Sequence, residues 1–74
     1  MDIRRQLGLN VQKLRHDRGW SQEDLAFESG LHRTYVSGIE RGIRNPTITI
    51  IQRLAKTFAV TPGVLLDPRG RKAR

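Results

Sequence analysis

The sequence predicts an all-α domain of five short helices, and three observations predict it. Apolar residues recur at spacings of three and four, the stripe of an amphipathic helix, and no strand alternation survives against them. Each periodic segment is bracketed by capping and stopping residues: Ser21, Thr47 and Thr61 at starts, Gly19, Gly30 and Gly42 at ends. The chain has 74 residues and no cysteine, so one hydrophobic core must form without disulfides or thiolate metal sites.

The first helix is expected over residues 2–18, where Ile3, Leu7, Val11 and Leu14 share a face and Gly19 stops it. Ser21 caps the second helix, with Asp24 reaching back as its capping-box partner. Trp20 and Leu25 stand at the positions of a hydrophobic staple, which gives the single tryptophan a structural task. Gly30 ends this helix and can take the positive φ of a tight turn. The third helix runs from about His32 to Glu40, with Val36 and Ile39 inward, Leu31 packing at the turn and Gly42 closing it. "IRNP" is a loop, because Pro46 disfavours helix at Asn45.

Thr47 caps a fourth helix over residues 48–58, with Ile48, Ile51, Leu54, Ala55 and Phe58 inward. "TITII" is β-branched, but its cap and the following "QRLAKTF" favour helix. Thr61 is expected to cap a short fifth helix with Pro62 at its first position, a favoured arrangement. Residues 1–67 therefore read as one domain, and 68–74 as a basic tail without core residues.

Charge narrows the function classes. Fourteen Lys and Arg against seven Asp and Glu leave a net +7, which favours a polyanionic partner: DNA, RNA or an acidic membrane surface. Arg predominates, and its fork suits phosphate and guanine better than a lysine point charge does. His16 and His32 lack the spacing zinc needs. Glu23, Asp24 and Glu28 read as a cap and a solvent face, not as metal ligands. No nucleophile–base pair or phosphate-cradling glycine loop is present, so no catalytic residue and no cofactor are expected. The N-terminus has no apolar signal region and no run approaches a membrane span, so the expected location is the cytoplasm.

Helices two and three have the proportions of a helix-turn-helix, in which the second helix presents its N-terminal residues to base edges in the major groove. His32, Arg33, Thr34 and Ser37 then form the leading, outward surface of that helix. Arg can hold guanine by two bonds, and Thr can pair with a base edge or pack on a thymine methyl. Gly38, one turn on, is expected to let the helix approach the groove closely.

The stretch "SQEDLAFESGLHRTYVSGIERGIRNPTITIIQRLAKTFAV" resembles the Cro/C1-type (XRE-type) helix-turn-helix regulators of bacteria and phages, over roughly residues 7–66. Gln22, Leu25-Ala26, Gly30, the Val36/Ile39 pair and "IERG" match in register. "GLHRTYVSGIERGIRNP" is most similar to the controller proteins of restriction–modification systems, which are dimeric regulators acting beside their own genes. The resemblance implies a five-helix, lambda-repressor-like domain, with the helix-turn-helix at about 21–41 and dimerisation helices at about 47–66.

It also implies roles. Arg33 and Thr34 read bases, with Ser37 beside them; His32 serves as base reader, phosphate ligand or helix cap. Gln22, Arg41, Arg44 and Asn45 hold phosphates, and Tyr35 either reaches a phosphate or packs on the loop at Pro46. Arg15 and Glu40 form a partly buried structural ion pair.

The C-terminal helices carry more apolar surface than a short pair buries internally, which predicts an interface at Ile50, Val64 and Leu65. A twofold dimer would set two recognition helices about 34–36 Å apart, matched to a pseudo-palindrome. The expected partners are double-stranded DNA and a second copy of the chain, with RNA polymerase as a further candidate and no membrane or metal. The alternatives are a phage-type repressor, the antitoxin of a toxin–antitoxin pair, or, in a different class, a helical protein-interaction module.

Overall fold

The computed structural model describes residues 2–69. Its helices are α1 Ile3–Asp17, α2 Gln22–Ser29, α3 Arg33–Glu40, α4 Ile48–Phe58 and α5 Pro62–Leu66, with no strand among the described residues. Positions 70–74 of the expected basic tail lie outside the described residues.

Local hydrogen bonding starts the helices. Asp2 caps α1, accepting the Arg4 N–H at 2.9 Å, and its other oxygen meets the Arg4 guanidinium at 2.8 Å. Ser21 Oγ accepts the Asp24 N–H at 3.0 Å while the Asp24 carboxylate accepts the Ser21 N–H at 2.9 Å, a complete capping box. Thr47 Oγ1 accepts the Ile50 N–H at 3.3 Å. Thr61 differs from expectation: it precedes α5 without a side-chain cap bond. Pro62 at the first position, its φ already helical, starts that helix instead.

Four helices end with one device. The chain takes a left-handed residue at Gly19, Gly30, Gly42 and Ala59, with φ of 69°, 74°, 77° and 57°. The next N–H then returns to a carbonyl five positions back: Trp20 to Arg15, Leu31 to Ala26, Ile43 to Gly38 and Val60 to Ala55, all at 2.9–3.1 Å. This is the Schellman closure, which places a hydrophobic residue just beyond the helix where it can fold back. Trp20, Leu31 and Val60 do so and pack on the core. Ile43 does not; it is 59% exposed.

The core gathers Leu7 and Val11 of α1, Leu25 of α2, Val36 and Ile39 of α3, Leu54 and Phe58 of α4, and Leu65 of α5. Gly8 lets α1 lie directly against the end of α3: a β-carbon there would stand 2.4 Å from the Ile39 carbonyl oxygen and 2.6 Å from that of Glu40. Trp20 stacks on Phe58 with centroids 5.9 Å apart, so it covers the α4 side of the core beyond its place in the staple. Arg18 lies 5.3 Å above the indole and donates to the Phe58 carbonyl at 2.6 Å, strapping the end of α1 to the end of α4.

Two expectations are corrected. Ile48 was expected inward but is 84% exposed, because the first turn of α4 projects past the edge of the core. Val64 and Leu65 were expected at an interface, yet they are 4% and 0% exposed within the single chain and have no surface to offer. The cause is Asn10, whose buried amide donates to the Leu65 and Asp67 carbonyls at 2.8 and 2.9 Å and pulls α5 onto α1. Gln6 completes the link by donating to Asn10 Oδ1 at 3.0 Å. Among the described residues no helix is long and apolar enough to cross a membrane.

Candidate functional site

The α2–turn–α3 unit is held from behind by a polar knot. Arg15 Nε and Nη2 donate to the two oxygens of Glu40 at 2.7 and 3.0 Å, and Arg15 Nη1 donates to the Trp20 carbonyl at 2.8 Å. Hydrogen bonding to Glu40 raises the guanidinium pKa above its ordinary value, against the opposing effect of burial. The knot ties α1 to the end of α3 and to the turn leading into α2.

Gln22 joins the same knot. Its amide nitrogen donates to Glu40 Oε1 at 3.1 Å, so this side chain, expected to serve a phosphate, is already engaged inside the free protein.

The outward face of α3 is different in kind. Val36 and Ile39 are buried and point back into the core, which leaves Arg33, Thr34, Ser37 and Arg41 on the opposite side. The side chains of His32, Arg33 and Thr34 are exposed, and among the described residues none of the three makes an internal hydrogen bond or ion pair. His32 occupies the cap position of α3 without a capping bond, so the first amides of the helix keep free donors. Such a helix start is suited to an anion.

Arg41 and Arg44 extend this face. Arg41 Nε makes a long bond to the Ser37 carbonyl at 3.4 Å. Arg44 folds back over α3, its guanidinium 5.5 Å above the ring of Tyr35. A β-carbon at Gly38 would stand 2.6 Å from the Arg44 Cγ, so the missing side chain of Gly38 seats Arg44. Asn45 is exposed beside it. Tyr35 itself is half-buried against the core.

The structure thus brings Arg33, Thr34, Ser37, Arg41 and Arg44 to one face. Gln22 is drawn toward Glu40, and Ile50 stands apart on α4, partly buried against the core. Among the described residues no cluster of His, Asp and Glu is placed to hold a metal ion.

Sequence reasoning missed Gly8, Asn10 and Arg18. Two of these left a signal: a glycine inside a helix costs about 1 kcal/mol against alanine and flags a close approach, and Asn10 sits on the buried stripe three residues after Leu7.

Comparison with known proteins follows the same lines. The family profile described as Helix-turn-helix matches residues 11–65. Control protein C.BamHI of Bacillus amyloliquefaciens is 46% identical over 67 residues, covering 89% of this chain and 83% of that protein. The crystal structure of the restriction–modification controller protein C.AhdI from Aeromonas hydrophila superposes with a TM-score of 0.73 at 40% identity, covering 90% of this chain and 92% of that one. Controller protein C.Esp1396I, solved as a tetramer in complex with its natural 35 base-pair operator, gives a TM-score of 0.78 at 38% identity over 88% of this chain and 86% of its own. With a matched helix-turn-helix, relatives of this identity and the same five-helix fold, the chain belongs to the Cro/C1-type (XRE-type) helix-turn-helix family.

Proposed function

We propose that this protein is a sequence-specific DNA-binding transcription regulator, acting as a homodimer on a pseudo-palindromic operator and serving as the autoregulatory controller of a restriction–modification system. One observation carries the reading: the head of α3 presents Arg33 and Thr34 with no internal bond, while the rest of the unit is fixed by the Arg15–Glu40–Gln22 knot. A rigid mount with free donors at its leading edge is what direct readout of base edges requires. The operator-bound tetramer of C.Esp1396I and the likeness to C.BamHI support the partner and the role.

In this reading Arg33 and Thr34 read bases, with Ser37 and His32 beside them. Arg41, Arg44 and Asn45 clamp phosphates, and Tyr35 positions Arg44. Residues 1–67 act as one domain in the cytoplasm with no enzymatic activity, and RNA polymerase is a neighbour on the same DNA. The dimer uses the apolar surface that α4 leaves outside: Ile50 with the exposed Ile48, beside an open hollow of about 130 Å³ lined by Ile3, Leu7, Pro46, Ile51 and Leu66 and rimmed by Arg4 and Asn45.

The test is fluorescence anisotropy on the duplex immediately upstream of the chain's own gene against a scrambled duplex, at two salt concentrations, with wild type and Arg33→Ala. Preference for the native duplex, largely lost in Arg33→Ala while salt-sensitive nonspecific binding survives, is the expected result. Absence of binding to either duplex at low salt would overturn the DNA reading.

A further inference from the structure

Ile43 breaks a rule that the other three helix ends obey. Where Trp20, Leu31 and Val60 fold their side chains onto the core, Ile43 stays 59% exposed although its backbone is locked by the same bond, to the Gly38 carbonyl at 3.1 Å. The residue that normally receives this side chain is the one whose carbonyl closes the turn. Here that residue is Gly38, which has no side chain, and its space holds the Arg44 stem. Ile43 is therefore a hydrophobe held rigidly outside, just beyond the end of α3, with Arg41 and Arg44 on either side of it in sequence.

We infer that Ile43 is a DNA-contacting residue whose side chain packs on a deoxyribose of the operator, between the phosphates held by Arg41 and Arg44; the inference rests on the DNA-binding function proposed above. A DNA strand alternates phosphate and sugar, and the loop offers the complement in its chain order: Arg41, Ile43, Arg44. A second copy of the chain is a poor occupant. A twofold interface joins the same patch of both copies, which would crowd two copies each of Arg41 and Arg44 into one contact in a chain of net charge +7. No acidic residue lies between positions 41 and 48 to relieve that repulsion.

The experiment begins by selecting a preferred duplex from a random-sequence pool with the wild-type protein. Affinity and salt dependence are then measured for wild type, Ile43→Ala, Ile43→Leu and Arg41→Ala, with thermal unfolding and sedimentation as controls. Ile43→Ala is expected to weaken binding about fivefold to tenfold, from the loss of three partly buried carbons. Its salt slope stays that of the wild type, whereas Arg41→Ala loses about one ion from the slope. Ile43→Leu keeps most of the affinity, and no Ile43 variant changes the melting temperature. Unchanged DNA affinity in Ile43→Ala overturns the inference, and weakened self-association with intact DNA affinity overturns it in favour of a protein contact. A wild type that enriches no sequence overturns the DNA-binding reading itself, which the Ile43 variants alone cannot do.

Discussion

Arg15 grips both carboxylate oxygens of Glu40, at 2.7 and 3.0 Å, with the two side chains only 9% and 3% exposed. Arg15→Ala leaves Glu40 buried with Gln22 as its one remaining side-chain donor among the described residues. Breaking such a pair from one side costs about 3–5 kcal/mol, a large share of the roughly 4–11 kcal/mol available to a chain of this length. The double replacement Arg15→Met/Glu40→Leu is expected to cost less than Arg15→Met or Glu40→Leu alone, because neither charge is stranded. Urea unfolding of the four proteins measures the cycle; strictly additive losses would refute the coupling.

Gly8 sets two effects against each other. Alanine gains about 1 kcal/mol of helix propensity over glycine, but its β-carbon would lie 2.4 Å from the rigid carbonyl oxygen of Ile39. Backbone cannot move aside as a flexible side chain can, so sterics win and Gly8→Ala is expected to destabilise by about 1–3 kcal/mol. Gly63→Ala is the control: its nearest atom would be 3.9 Å away, so propensity decides and stability rises by about 0.5–1 kcal/mol. Thermal unfolding should move the two variants in opposite directions.

Ala59 holds the left-handed conformation that glycine holds at three other helix ends, with φ of 57°. The conformation costs an L-residue roughly 1–2 kcal/mol, and glycine gives back about 0.5–1 of that through its freer unfolded chain. Ala59→Gly is expected to stabilise by a net 0.5–1 kcal/mol on this rough reckoning. A lowered urea midpoint would contradict it.

Asp2 carries a pH signature. Hydrogen bonds from the Arg4 side chain and backbone bring its pKa from 3.8 down to about 2. A carboxylate depressed in the folded state contributes stability that is full above the unfolded value, near pH 4, and is lost as pH falls through about 2. Full exposure keeps the contribution small and screened by salt. An NMR titration of the Asp2 carboxyl should show the low midpoint in wild type and its return toward the ordinary value in Arg4→Ala.

The helices were legible because their signals are local. Ser21 with Asp24, Thr47 before Ile48, and the glycines at 19, 30 and 42 each write a boundary within four residues of sequence, and the observed spans follow them closely. The leading surface of α3 was legible for the same reason: Val36 and Ile39 fix which side is inside.

What escaped depends on pairs distant in sequence. Val64 and Leu65 look like surplus apolar surface until Asn10, more than fifty positions away, is seen to hold their carbonyls against α1. Ile48 fits the apolar stripe, yet the core ends before reaching it. The Arg44 side chain seated on Gly38 comes from the following loop and is not announced by the α3 sequence. The bond from Gln22 to Glu40 likewise depends on how α3 ends, which the head of α2 does not announce.

The exposed, unbonded state of Arg33 and Thr34 bears on how such a protein changes over generations. Because neither side chain supports the fold, replacing either is expected to leave folding intact and, under the proposed base readout, to redirect which sequence is addressed. The knot behind α3 has no such liberty, since altering Arg15 or Glu40 endangers the whole domain. Under the proposed base readout, selection would rewrite the address one residue at a time on an unchanging mount, and duplicated copies of the gene would part company in target without first passing through an unfolded ancestor.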